Sequence, residues 1–283
     1  MDDRRVAIDR CKEIIELSYK DIVYSDSVEI GYDRLIRGLS ALRQVIDLDQ
    51  WNSFCSDYCM RHVILKHLME CPFTRRCFLK PRGYAGDAVS IDFVYFHPSV
   101  AKYIEASSKV GRRLFNCITN ASGCVSIRNR KRTVARHVDR IANKIKKPHI
   151  LSLACGHMRE IEESNAVAED MIGMIVGYDI DIESLRIIQN YQTHCKCIVE
   201  AVQGDIRSIV LGKKNLGKFD FVYASGLFDY LDQRMGRKLT RCMFDMLNHG
   251  GELLIPNLTP ENCEIGYIEA FMDWRMVYRG GGG

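Results

Sequence analysis

The chain has 283 residues, 47% of them hydrophobic, which is enough to bury one large core or two smaller ones. A formal net charge of +4 neither requires nor excludes a polyanionic partner. No apolar run is long enough to cross a membrane, and the N-terminus lacks the apolar core of a secretion signal, so we expect a cytoplasmic protein. The twelve cysteines include no paired CxxC units, so we predict no metal site.

The first half of the chain is predicted to be helical. Hydrophobic residues recur at helical spacing from residue 3 to about residue 70, and again from residue 99 to residue 120. The pattern ends at Lys146-Lys147-Pro148. We therefore predict a helical domain over residues 1–147.

An irregular polar segment interrupts this half. Residues 75–88 contain two basic clusters, two glycines and a tyrosine, without a helical or strand period. Arg82 could bind a carboxylate through two parallel hydrogen bonds, and Tyr84 combines a flat face with a hydroxyl. The segment is either a functional loop or a plain surface connection.

The last predicted helix of this half carries basic residues at intervals of four: Arg128, Arg132, Arg136, Arg140 and Lys144. Such a face could follow the phosphates of a nucleic acid. A solvated outer face is the simpler interpretation, because Val134 and Val138 supply an ordinary buried side.

Strands and helices alternate from His149 onward. The pattern predicts strands over 150–153, 174–179, 198–205, 219–225, 252–257 and 274–279, with helices over 161–171, 182–191 and 235–247. This alternation indicates an α/β fold with a doubly wound parallel sheet and right-handed crossovers. We predict that this domain spans residues 148–279 and that 280–283 form a flexible glycine tail.

Polar residues end successive predicted strands. Gly156 follows the first strand, Asp179 and Asp205 end the second and third, and Ser225-Gly226 ends the fourth. Because the carboxyl ends of such strands meet along one edge, these residues should be neighbours. Two carboxylates suit a ligand with a ribose diol and an exocyclic amine, although either aspartate alone would more simply cap a helix.

The first turn, Ala154-Cys155-Gly156, contains one glycine. It lacks the GxGxxG pattern that brings a helix N-terminus to a pyrophosphate, and the chain lacks the GxxxxGK[ST] pattern of triphosphate sites. These absences favour a nucleotide-like ligand without phosphate, such as S-adenosylmethionine.

Five segments, in this order, resemble the motifs of class I S-adenosylmethionine-dependent methyltransferases: 153–156, 176–179, 203–206, 219–224 and 250–255. The single glycine of the first segment differs from the commoner GxGxG. A narrower resemblance, carried by residues 81–87, 155–160, 226–231 and 273–279, is to bacterial hydroxy fatty acid methyl ester biosynthesis proteins. His157 stands where members of that subgroup usually have proline.

The resemblance implies a Rossmann-like methyltransferase sheet beneath a helical cap that recognises the substrate. The cofactor would be S-adenosyl-L-methionine, and the acceptor a small carboxylic acid or amino-acid-like metabolite, methylated on oxygen or nitrogen. The implied cofactor contacts are Tyr84, Ala154, Cys155, Gly156, Asp179, Ile180, Gly204, Asp205, Ile206, Ala224, Ser225 and Gly226.

The resemblance also implies substrate contacts from Arg82, Tyr84, Asp87 and Tyr230. An ionised carboxylate acceptor needs only orientation, which Arg82 could supply. An amine or phenol would need a base, for which Asp229, Tyr230 and Asp87 are candidates.

Three alternatives stay open at this point. A nucleic-acid methyltransferase would use the basic helix 128–147, and an NAD-dependent oxidoreductase would need a different first turn. A methyltransferase-like binding module would show no turnover. We expect a small-molecule substrate, no membrane span and no nucleic-acid partner; a homodimer is compatible with the sequence.

Overall fold

The computed structural model describes residues 3–191 and 196–280, and the chain divides into two compact units. One unit comprises Met1–Ser126 and Pro260–Arg275, and the other comprises Ile127–Thr259 and Met276–Gly283. The sequence pattern placed the boundary at 147/148, whereas the units divide after residue 126. Residues 281–283 of the predicted glycine tail lie outside the described residues.

The first unit is built from helices. They are α1 (Asp3–Val23), α2 (Val28–Val45), α3 (Leu48–Asp57), α4 (Ile64–Leu68), α5 (Pro72–Leu79), α6 (Ala88–Val94), α7 (Ala101–Glu105) and α8 (Lys109–Asn120), with 3-10 turns at Cys59–Arg61 and Pro98–Val100 and a further helix at Ile265–Phe271. A buried polar contact joins distant parts of this unit, since the Trp51 indole N–H donates to the Glu269 carboxylate at 2.6 Å.

The segment predicted to be irregular over 75–88 is partly helical, so that prediction was wrong for its first residues. Helix α5 begins at Pro72, whose fixed φ suits a first helical turn, and ends at Leu79; Lys80, which follows it, has a φ of 48°. The irregular loop is therefore confined to residues 80–87.

The second unit is a doubly wound α/β sheet, as predicted. Its strands are β1 (His149–Leu153), β2 (Met174–Asp179), β3 (Ile198–Gln203), β4 (Phe219–Tyr223) and β5 (Leu247–Leu254). Its helices are α9 (Ser122–Lys144, whose first residues fall in the other unit), α10 (Asn165–Ala168), α11 (Ile182–Tyr191), α12 (Ile206–Val210) and α13 (Gln233–Asp245), with 3-10 turns at Arg159–Glu163 and Leu227–Tyr230; the helix Ile265–Phe271 of the first unit is α14.

Among the described residues, the strands pair in parallel in the order β3-β2-β1-β4-β5. Helices α9, α10 and α11 pack on one face of the sheet, and α12 and α13 on the other. The strand order reverses between β1 and β4, and such a switch point leaves a ligand crevice at the carboxyl ends of the strands.

Several predicted elements differ from the structure. The strand predicted over 252–257 is β5 (Leu247–Leu254), which begins five residues earlier. Residues 161–171 form a short 3-10 turn and the four-residue α10 rather than one helix. Residues 274–279 form no strand, because their backbone bonds to loops: the Val277 amide donates to the Asp229 carbonyl at 2.8 Å, and the Arg279 amide to the Leu258 carbonyl at 3.0 Å.

The basic face of α9 makes contacts within its own unit. Glu252 accepts hydrogen bonds from Arg140 and, at 2.9 Å, from Lys144. Partial burial opposes ionisation of Glu252, yet these two cations lower its pKa. Within the described ranges 3–191 and 196–280, the helices are too short or too polar to span a bilayer.

Candidate functional site

The turn after β1 has an unusual backbone. Ala154, Gly156 and Met158 have φ values of 49°, 53° and 52°, in the left-handed region. Non-glycine residues adopt this conformation at a cost of about 1 kcal/mol or more, and such residues cluster at functional sites. The Met158 amide donates to the Cys155 carbonyl at 3.0 Å, and the Cys155 amide reaches the Tyr178 carbonyl at 3.3 Å. The turn is thus tight and anchored to β2.

Asp179 lies at the end of β2 with a buried side chain. Its Oδ2 accepts the Gly156 amide at 2.8 Å, and its Oδ1 accepts the Asp181 amide at 2.9 Å. Burial raises the pKa of Asp179, and the two amide hydrogen bonds partly offset this rise. Each carboxylate oxygen keeps a second lone pair, so the group can also accept hydroxyl protons from a ligand.

The position after β3 combines a close approach with a helix cap. A Cβ on Gly204 would lie 2.1 Å from the Tyr178 hydroxyl, which donates to the Asp205 carbonyl at 3.0 Å. The Asp205 side chain caps α12 by accepting the Arg207 amide at 2.8 Å. This side chain is 41% exposed, so the cap leaves it accessible to a ligand.

The residues after β4 lie close to Arg130, a cation that the sequence pattern did not indicate. Gly226 has a φ of 103°, and a Cβ at this residue would lie 3.4 Å from the guanidinium of Arg130 on α9. Arg130 Nη1 lies 3.7 Å from Asp229 Oδ2. Within the described part of the chain, Arg130 Nε is buried without a hydrogen-bond partner.

A second buried pair joins the β1 turn to the end of β4. The Tyr223 hydroxyl donates to Glu160 Oε1 at 2.6 Å, and both side chains are buried. Burial raises the pKa of Glu160, while the Tyr223 hydrogen bond and the charges of Arg130 and Lys131 oppose the rise. A carboxyl group therefore lies beneath the switch point in a poorly solvated position.

The two candidate bases after β4 differ in exposure. Asp229 is buried and accepts the Leu258 amide at 3.2 Å, whereas Tyr230 is 40% exposed. Burial raises the pKa of Asp229, and the charge of Arg130 opposes that effect. Their catalytic roles stay predictions, with Tyr230 the more accessible of the two.

The predicted substrate loop lies in the first unit. The Asp87 carboxylate is fully buried, pairs with Arg76 at 2.7 Å and caps α6 through the Ser90 amide at 2.8 Å. These contacts explain why a carboxylate is buried at Asp87 without invoking a ligand. Arg82 and Tyr84 lie in the loop at 80–87, and their contacts with a ligand stay predictions.

The residues at the strand edge of the second unit are compatible with S-adenosylmethionine. The Arg130 Nε–H is buried without an acceptor in the described chain, and the amino-acid tail of this cofactor ends in a carboxylate. The Asp179 carboxylate is suited to the ribose diol, and Asp205 is suited to the exocyclic amine of adenine.

No protein-family model matches the sequence, and no curated protein is significantly similar to it. In structure, the chain is similar to a possible exported protein from Bordetella parapertussis, with a TM-score of 0.61 and 16% identity over 94% of this chain and 86% of that one. This likeness shows a shared fold.

Two weaker likenesses are to methyltransferases. An S-adenosylmethionine-dependent methyltransferase from Clostridium acetobutylicum has a TM-score of 0.36 and 20% identity over 45% of this chain and 50% of its own. An O-methyltransferase family protein from Burkholderia thailandensis has a TM-score of 0.38 and 16% identity over 64% of this chain and 56% of its own. These matches span about half of each methyltransferase, and at these scores they carry no argument about activity.

Proposed function

We propose that this chain is an S-adenosylmethionine-dependent methyltransferase that acts on a small molecule, a carboxylic acid or an amino-acid-like metabolite. The observation that carries the proposal is the 2.8 Å hydrogen bond from the Gly156 amide to Asp179. It joins a turn with a left-handed backbone and a single glycine to a buried carboxylate, next to the switch point of a doubly wound sheet.

The proposed cofactor contacts follow the strand edge. Asp179 with Ile180 would hold the ribose, and Asp205 with Gly204 and Ile206 would hold the adenine. The turn Ala154-Cys155-Gly156 would hold the amino-acid tail, and Ala224-Ser225-Gly226 would line the reacting methyl group. S-adenosylmethionine supplies an electrophilic methyl group on a sulfonium, so these residues need only bind, orient and exclude water.

The acceptor determines which further groups are needed. A carboxylate is already ionised near neutral pH, and the predicted role of Arg82 is to orient it. An amine or phenol acceptor would have to lose a proton, for which Tyr230 or Asp229 is the predicted base. The hydroxy fatty acids suggested by the narrower resemblance belong to the carboxylate class.

The nucleic-acid alternative depends on the basic face of α9. Cations of this face already contact neighbours: Arg140 and Lys144 bind Glu252, Arg132 binds Asn129 at 3.3 Å, and Arg136 binds Thr133 at 3.0 Å. Such contacts are typical of a solvated helix face, which favours a small acceptor over a polyanion.

Methyl-labelled S-adenosylmethionine tests the proposal when it is incubated with the protein and separate pools of small acids, amines and RNA. Label in the acid or amine pool, lost in an Asp179→Asn variant, is the expected result. Label in RNA alone would favour the nucleic-acid alternative. No label in any pool, with no S-adenosylhomocysteine released, would leave a binding module instead of an enzyme.

A further inference from the structure

We infer that Arg130 binds the carboxylate of the cofactor's amino-acid tail and thereby fixes the direction in which the cofactor lies along the sheet. This inference rests on the proposed function and names a residue outside the methyltransferase-like motifs. Arg130 lies on α9, more than twenty residues before the first of those motifs.

The first reason is an unmet hydrogen bond. The Arg130 side chain is 12% exposed, and within the described ranges its Nε is buried without an acceptor. The 3.7 Å separation of Nη1 from Asp229 Oδ2 is ion-pair range but too long for a good hydrogen bond. A buried guanidinium normally makes most of its hydrogen bonds, so the Nε–H calls for an acceptor that the described residues do not supply.

The second reason is position along the edge. Adjacent strands are about 4.8 Å apart, so the ends of β2 and β4 lie roughly 10 Å apart across the β1 turn. Suppose that a ligand has its ribose at Asp179, after β2, and that its tail crosses the β1 turn. The far end of the tail would then lie near Gly226, after β4. The Arg130 guanidinium lies beside Gly226, where a Cβ would be 3.4 Å from it.

The third reason is charge. Arg130 lies 3.7 Å from the buried Asp229 carboxylate, and its charge also acts on the buried carboxyl of Glu160. Lys131 acts on Glu160 as well, and Arg279 acts on Asp229. An amino-acid tail is a zwitterion whose carboxylate matches the guanidinium and whose ammonium matches the carboxyls. A purely apolar ligand end would leave the buried Arg130 Nε–H without an acceptor.

The test compares three probes that differ only in the tail. S-adenosylhomocysteine has both tail charges, its decarboxylated analogue keeps the ammonium, and 5′-methylthioadenosine lacks the amino-acid tail. Calorimetric titration of wild type, Arg130→Gln and Arg130→Lys measures each affinity. Arg132→Gln is the matched control, because Arg132 lies on the same helix with an exposed side chain.

Arg130→Gln should weaken S-adenosylhomocysteine binding about tenfold to a hundredfold, as expected for charge-assisted hydrogen bonds. Affinity for the two probes without a carboxylate should change by less than about twofold, and Arg130→Lys should lie between wild type and Arg130→Gln. Equal weakening of all three probes, or no weakening of the first, would overturn the inference. Should Arg130→Gln fail to fold, Arg130→Lys gives the same comparison across the three probes. If wild type binds none of the probes, the proposed function itself fails.

Discussion

The backbone amide of Gly156 donates a 2.8 Å hydrogen bond to Oδ2 of Asp179, joining the turn after β1 to the end of β2. One buried carboxylate thereby shapes the turn and presents its remaining lone pairs at the strand edge. The residue proposed to bind the ribose is also the residue that holds the proposed tail-binding turn in place.

Replacing Asp179 by asparagine should therefore weaken the binding of S-adenosylhomocysteine about tenfold or more. The amide keeps one oxygen acceptor but loses the charge, and its NH₂ group cannot accept from an amide or a diol. Calorimetric titration measures the change. Glu200→Gln on β3 removes an exposed carboxylate and should leave affinity unchanged; unaltered affinity in Asp179→Asn would contradict the ribose assignment.

Gly204→Ala should lower the free energy of unfolding by about 1–3 kcal/mol, the usual cost of overpacking. The new Cβ would lie 2.1 Å from the Tyr178 hydroxyl, which is held by the Asp205 carbonyl at 3.0 Å and by Ser208 Oγ at 2.9 Å. Urea unfolding measures the loss.

Gly236→Ala, within α13, is the matched control for that substitution, because a Cβ there would meet Arg279 and Phe228 at ordinary contact distances of 3.6 Å or more. Alanine also has the higher helix propensity, so this variant should be neutral or slightly stabilised. Equal destabilisation of the two variants would show that the contact with Tyr178 is not the cause.

Glu160→Gln should change how stability depends on pH. Burial raises the pKa of Glu160 in the folded chain, whereas an unfolded glutamate titrates near about 4.3. The folded state then binds the proton more tightly, so this carboxyl stabilises the fold fully below about pH 4.3 and loses that contribution as pH rises through the raised pKa.

Glutamine cannot ionise, and its oxygen can still accept from Tyr223. The free energy of unfolding of Glu160→Gln relative to wild type should therefore increase with pH across that window. Urea unfolding at several pH values from about 4 to about 8 measures the difference. A difference that stays constant with pH would show that Glu160 titrates normally.

Arg82→Ala tests the predicted substrate role of the loop at 80–87. If Arg82 orients an acceptor carboxylate, KM for the acceptor should rise about tenfold or more while S-adenosylhomocysteine affinity stays nearly unchanged. Steady-state kinetics with the labelled acceptor give KM, and Arg75→Ala, an exposed arginine of α5, is the control. An unchanged KM in Arg82→Ala would remove this role.

Much of the second unit could be predicted because its signals are local. The apolar runs before Gly156, Asp179 and Asp205 mark strand ends, and parallel pairing brings those ends to one edge. Residues 274–279 have the same strand-like composition, yet their amides find acceptors at Asp229 and Leu258. Whether a backbone amide bonds to a strand or to a loop depends on the tertiary structure, so composition alone mispredicts this segment.

Arg130 shows why part of the site could not be predicted. The spacing of four singled out Arg128 and Arg132, and Arg130 lies about 200° around the helix from the first of these. The sequence does show that Arg130 lies on a different face of the helix from Arg128 and Arg132. It does not show what Arg130 contacts, because Gly226 and Asp229 are nearly a hundred residues away in sequence. The Glu160–Tyr223 pair, 63 residues apart in sequence, has no local signal.

Calorimetric titration of the wild-type protein with S-adenosylhomocysteine, alongside NADH, tests the central claim most directly. We predict saturable binding of S-adenosylhomocysteine at a single site, weakened by Asp179→Asn, and no heat of binding with NADH. Saturable binding of NADH without S-adenosylhomocysteine, or binding of neither ligand, would contradict the assignment of this strand edge to a methyl-donor cofactor.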